Sequence, residues 1–119
     1  MKDFKKLKVW QQARDLTLKV YKITMNFPKE ELFGLTSQIR RSCSSIAANI
    51  AEGCGRGGDA DFSRFLQMAM GSASELEYHL LLSMKLNYLN QSDYEDLNKQ
   101  LIDVKRMLAT LIKRLKADR

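Results

Sequence analysis

The stretch that decides the fold is Ser44-Ser45-Ile46-Ala47-Ala48-Asn49-Ile50-Ala51-Glu52-Gly53-Cys54-Gly55-Arg56-Gly57-Gly58. A run of small residues at helical spacing enters four glycines and an arginine. Two readings compete: a loop that cradles phosphate, or a hinge between two closely packed helices. A Walker-type loop follows a strand and ends in Gly-Lys-Ser or Gly-Lys-Thr, so that a lysine and a hydroxyl reach the phosphates and their metal. Here Gly57-Gly58-Asp59 stands at that place, and the preceding segment is helical. Glycine suits a helix C-terminus, where a left-handed residue closes the last turn. Gly53 or Gly55 can play that part, and Gly57-Gly58 lets the chain reverse. The stretch is therefore read as a hinge, with Arg56 at its tip available to a phosphate.

Working outward, four segments carry helical periodicity, at about residues 7–27, 32–54, 61–88 and 92–117. In the first, Val9, Ala13, Leu16, Val20, Ile23 and Phe27 share one face, with Trp10, Thr17, Tyr21 and Thr24 beside them. Pro28 disfavours the α conformation at Phe27 and stops the helix. In the second, Leu35, Ile39, Cys43, Ile46 and Ile50 form the face, flanked by small serines and alanines. In the third, Phe62, Leu66, Ala69, Ala73, Leu76, Leu80 and Met84 follow the same spacing, and Asp59 or Asp61 is the expected cap. Its Gly71-Ser72-Ala73-Ser74 patch is expected to meet the small residues of the second helix. In the fourth, Ser92-Asp93-Tyr94-Glu95 reads as a capping box, and Tyr94, Leu97, Leu101, Val104, Leu108, Leu111 and Leu115 form a heptad seam. Four amphipathic helices with short links predict one all-α domain over residues 1–119, an antiparallel up-down-up-down four-helix bundle.

Composition bounds the function. Of the 119 residues, 45% are hydrophobic and 29% charged, ordinary for a folded domain. No run approaches the ~18 apolar residues of a membrane span. The start Met1-Lys2-Asp3-Phe4-Lys5-Lys6 lacks the apolar core of a signal peptide, so a cytoplasmic location is expected. Cys43 and Cys54 lack metal-ligand spacing. On one helix they would stand roughly 16 Å apart, too far for a disulfide, so two reduced thiols are expected.

The net charge is +6, unevenly spread. Residues 1–51 carry net +6, residues 52–96 net −5 and residues 97–119 net +5. An up-down bundle brings the N-terminal arm, the glycine loop and the C-terminus to one end. Lys2, Lys5, Lys6, Lys8, Arg56, Lys113, Arg114, Lys116 and Arg119 would converge there. Of these, Lys5, Lys6, Lys8, Arg56, Lys113, Arg114 and Lys116 are the candidate nucleic-acid-binding residues. The bland alternative is a solvated basic end that complements the last helix's dipole.

Catalytic readings fail on inventory. His79 is the one histidine, and a helical di-iron site needs two Glu-x-x-His motifs. No arginine precedes His79 within positions 72–75, as a helical ribonuclease of the Arg-x4–6-His type would need. His79 is read as a surface or boundary residue, and no cofactor or metal site is expected. Glu75 stands at the height of Arg40 and Arg41 if the hairpin turns at the glycines, which predicts an ion pair between helices. Asn49 and Glu52 are expected to cap or bridge near the turn, with Arg64 a possible partner for Glu52.

The same residues carry a resemblance. Phe4-x-x-Leu7-x-Val9-Trp10-x-x-Ala13, Tyr21, Phe27-Pro28-x-Glu30, Gly34-Leu35-x-x-Gln38-Ile39-Arg40-Arg41, Ser45-Ile46-x-x-Asn49-Ile50-Ala51-Glu52-Gly53 and Ala69-x-Gly71-Ser72-x-x-Glu75-Leu76-Glu77 resemble the four-helix-bundle proteins called 23S rRNA intervening-sequence proteins. The family often has proline where this chain has Ala47. The resemblance implies a homopentamer around a central channel. It also implies kinship with accessory proteins of diversity-generating retroelements, which bind nucleic acid and a reverse transcriptase. The expected function is a non-enzymatic oligomer that binds RNA or other nucleic acid through its basic end. The competing reading is a scaffold that docks a protein partner such as a polymerase. Trp10, Tyr21 and Thr24 on the first helix and Phe65, Met68, Leu81 and Leu82 on the third form the expected apolar interface, the alternative being that they thicken the core of the single bundle.

Overall fold

A computed structural model describes residues 3–117. Among them lie four α-helices and no strand: α1 Lys8–Thr24, α2 Leu35–Cys54, α3 Asp59–Lys85 and α4 Gln91–Ala117, with short 3-10 turns at Phe4–Lys6 and Lys29–Glu31. They pack into an all-α four-helix bundle of 46 × 23 × 20 Å. Thr17 of α1 lies against Cys43 of α2, and Thr24 against Arg40, so later residues of one helix meet earlier residues of the next. Gly53 meets Phe62 and Phe65, while Arg41 faces the same cleft as Glu75, which gives α2 and α3 the same opposed sense. The core holds the residues that the periodicity marked: Leu16, Ile39, Ile46, Leu66, Leu76, Leu101, Val104 and Leu108 are fully buried.

The helix ends differ from the periodic reading, for local reasons. α1 stops at Thr24 rather than Phe27, and the Asn26 and Phe27 N–H groups donate three residues back, to Ile23 and Thr24. The Thr24 hydroxyl donates to the Val20 and Tyr21 carbonyls, competing with the main-chain ladder there. α2 starts at Leu35, three residues late. The Glu31 carboxylate accepts the Leu35 N–H at 3.1 Å and takes the place of an N-cap side chain. A Cβ on Gly34 would stand 2.7 Å from that carboxylate oxygen, so glycine leaves the path open.

The glycine loop is a hinge, but its left-handed residue is Gly57, at φ 85°, not Gly53 or Gly55. Gly53 lies inside α2, where a Cβ would stand 2.9 Å from Phe62 Cδ1 and 2.9 Å from Phe65 Cβ. The close approach of α2 and α3 is thus at Gly53. Gly71, expected to make it, is exposed and has no atom within 4 Å of a built Cβ. α3 begins at Asp59, with no side-chain cap; Asp59 and Asp61 sit in its first turn, where a carboxylate favours the helix dipole. Its C-terminus comes at Lys85 because Asn87 turns left-handed, at φ 63°. α4 begins at Gln91. Its cap is Asn90, whose Oδ1 accepts the Asp93 N–H at 2.7 Å, and Ser92 already lies in the first turn. α2 runs unbroken through Ala47.

Cys43 and Cys54 are both buried, and no disulfide joins them. The Cys43 thiol faces the Thr17 hydroxyl at 3.5 Å, and burial pushes it up to about 11, against the smaller opposing effect of that hydrogen bond.

Candidate nucleic-acid interface

The basic end is built by the first turn of α1, the 3-10 turn before it and the last turns of α4. Phe4 stacks edge-on against Trp10, with ring centroids 5.0 Å apart, and the Lys5 carbonyl accepts the Gln11 side-chain amide at 2.8 Å. These ties hold the N-terminal segment against the bundle, and the Phe4–Lys6 turn packs on α1 and α2. Lys5, Lys6, Lys8, Lys113, Arg114 and Lys116 are all exposed. Among the described residues none of the six forms an ion pair with a carboxylate. Lys2 and Arg119 lie outside the described residues.

α1 and α4 have the least extensive contact of the neighbouring helix pairs, and a groove of ≈ 490 Å³ opens between them. Leu7, Val9, Met107 and Leu111 give it an apolar floor, with Lys8, Arg106 and Arg114 along its edges. Asp103 stands 3.2 Å from Arg106 and neutralises it, which leaves Lys8 and Arg114 as the groove's uncommitted cations. The charge count singled out neither the groove nor Arg106. Their signal was the four-residue step from Arg106 through Thr110 to Arg114, which aligns the three on one side of α4.

Arg56 is drawn differently from its six companions. Its guanidinium stands 3.3 Å from the Glu52 carboxylate one turn back, and 4.9 Å over the Phe65 ring. Arg64 stands over the same ring at 4.6 Å and pairs with Asp61, not with Glu52. Asn49 donates to the Ser45 carbonyl within α2. Arg56 is therefore partly committed to closing the α2–α3 turn.

Other expected contacts shift as well. Arg40 turns to α1, donating to the Thr24 hydroxyl at 2.9 Å and to the Tyr21 carbonyl at 3.2 Å, with the Tyr21 ring beneath it at 4.8 Å. Arg41 and Glu75 do line one cleft, so the hairpin register is right, yet no ion pair joins them. His79 is buried, not a surface residue, because it stands on the same side of α3 as Ser83 and Leu76. Of the expected apolar strip, Tyr21, Met68 and Leu81 are exposed; Trp10 and Leu82 are half-buried, and Thr24 and Phe65 belong to the interior. Among the described residues no group of three or more His, Cys, Asp or Glu side chains is arranged to hold a metal. No helix of the described residues is long and apolar enough to cross a membrane.

A family profile described as 23S rRNA-intervening sequence protein matches residues 5–110. The chain belongs to that family. Among solved structures it is similar to a protein of unknown function from Bacteroides thetaiotaomicron, described as of the S23 ribosomal protein family. The two are 30% identical, with a TM-score of 0.80 over 88% of this chain and 98% of that one. No curated protein matches the chain. Neither the family's description nor that of the Bacteroides neighbour names a catalytic activity.

Proposed function

We propose that this chain is a non-enzymatic, cytoplasmic oligomer that binds RNA or other nucleic acid through the basic end of its bundle. The observation that carries the reading is the meeting of Lys8 and Arg114 on one groove, neither committed to a carboxylate, with Lys5, Lys6, Lys113 and Lys116 exposed on the segments that flank it. A single such patch binds phosphates weakly. Several copies in a ring, five if the family resemblance extends to assembly, multiply it through effective concentration. The side chains offer charge without a stacking platform, which favours phosphate contacts over base reading.

The test is fluorescence anisotropy with a labelled structured RNA across a salt series. The expected affinity falls linearly in log–log salt, with a slope of about 0.7–0.9 per neutralised phosphate. Replacing Lys113, Arg114 and Lys116 together by alanine should abolish binding and leave assembly intact. No binding at low salt sinks the proposal.

A second reading is supported by apolar exposure. Phe33 is 95% exposed, Met25 75% and Leu18 65%, and the α1–α4 groove has an apolar floor. A protein-docking scaffold, with a polymerase among its possible partners, would use such surfaces. It predicts that the triple alanine variant keeps its partner.

A further inference from the structure

A second cleft opens between α2 and α3, walled by Gln38, Arg41, Ser42, Ser45, Glu75 and His79. Its volume of ≈ 430 Å³ falls within the range of small-molecule sites. The basic end lies at the other extreme of α2: Arg41 is two turns into that helix, and Arg56 lies two residues past its end. The two motifs that meet here, Gln38 to Ser45 and Gly71 to Glu75, have no part in the proposed nucleic-acid surface.

Its side chains have unused hydrogen-bonding capacity. Arg41 carries five N–H donors, none of them committed to a partner among the described residues, and the Glu75 carboxylate is equally free. Both line the cleft, yet they form no ion pair, so a cation and an anion face one space without neutralising each other. The Gln38 amide and the Ser45 hydroxyl also make no side-chain hydrogen bond. His79 is the strongest sign. It is 6% exposed, it lines the cleft, and its Nδ1 is buried with no hydrogen-bond partner. A buried ring nitrogen without a partner costs free energy, part of which a ligand group that reached it would recover.

We propose that this cleft binds a small zwitterion of the free amino-acid type. Its carboxylate would lie on Arg41, where a planar guanidinium offers a two-pronged match, with Gln38 and Ser45 beside it. Its ammonium group would lie on Glu75. The polar walls reject a large apolar ligand, and a zwitterion matches both wall charges where a simple anion or cation matches one.

The experiment is isothermal titration and thermal melting of the full chain with a panel of free L-amino acids at millimolar concentration. At least one should bind saturably and raise the melting temperature by about 4 °C or more near saturation. Its N-acetyl and amide derivatives, each lacking one charge, should bind at least tenfold more weakly. Arg41→Ala and Glu75→Gln should each weaken binding at least tenfold, while the Lys113, Arg114 and Lys116 triple alanine variant binds as the parent does. Both single substitutions are at exposed positions and are expected to fold, which far-UV circular dichroism checks; Arg41→Lys gives a second, milder variant. The proposal is overturned if no free amino acid binds saturably, or if the blocked derivatives bind equally well. It is also overturned if Arg41→Ala and Glu75→Gln change the subunit number by light scattering and leave ligand binding alone, which would make the cleft a seat for a second copy.

Discussion

Where α2 turns into α3, the helices close by the absence of a side chain: Gly53 lets Phe62 and Phe65 approach to distances no Cβ allows. At the opposite end polar side chains do the closing. Glu31 accepts the Leu35 N–H and, through its other oxygen, the Tyr88 O–H at 3.1 Å, so one carboxylate joins the start of α2 to the turn between α3 and α4. Phe27 packs beside that turn, 5.7 Å from the Tyr88 ring. The first end depends on shape and tolerates no added volume. The second depends on two hydrogen bonds and tolerates changes that keep them.

The comparison breaks most sharply at Gly53. Gly53→Ala forces two aromatic side chains apart and is expected to lower unfolding free energy by about 1–3 kcal/mol in urea titrations. A neutral result would mean that the turn relaxes freely. Midway between the ends, the buried Cys43 thiol tests the shared interior through pH. Its folded value of about 11 lies above the ordinary 9.0, so the unfolded chain releases its proton first. That contribution is whole below pH 9 and lost as pH rises to 11, amounting to about 3 kcal/mol that a Cys43→Ala variant should not show.

At the polar end, Glu31→Ala removes the α2 cap and the Tyr88 acceptor together, for an expected loss of about 1–2 kcal/mol. Tyr88 then titrates lower, since its raised value comes first from donating to Glu31; spectrophotometric titration checks this. Gly71 sharpens the contrast with Gly53 by sign. It touches nothing that a Cβ would meet, so Gly71→Ala is expected to raise stability by about 0.5–1 kcal/mol. A loss in the assembled oligomer that the isolated chain does not show would reveal a close contact across a subunit boundary. The smallest effect belongs to the exposed pair of Lys19 and Asp96, which spans α1 and α4. Lys19 holds the Asp96 carboxyl below its ordinary value of 3.8, so its stabilisation is present above that pH and fades as pH falls beneath it. Lys19→Ala should remove that acid-side slope and little else.

Much of this was legible in the residues. The spacing of Leu97, Leu101, Val104 and Leu108 named the α4 core, and Leu16, Ile39, Ile46 and Leu76 did the same for the other helices. Helix ends were less legible, because they depend on single hydrogen bonds: Asn90 outcompetes Ser92 as the α4 cap, and Glu31 caps α2 from four residues upstream. The basic residues were legible as a list but not as a site. Their arrangement depends on which helices leave a gap, and α1 packs against α4 less fully than α2 against α3.

The sequence by itself determined that four amphipathic helices form and which face of each is buried, because the 3.6-residue period is a local property and burial of apolar area dominates folding. Only the tertiary structure decided that Gly53 rather than Gly71 marks the close approach, that Arg40 serves α1 while Arg41 faces Glu75, and that Lys8 meets Arg114 across a groove. Each of these depends on the rotation of one helix against its neighbour. That rotation is set by how side chains from distant parts of the chain interdigitate, and no period read along a single helix contains it.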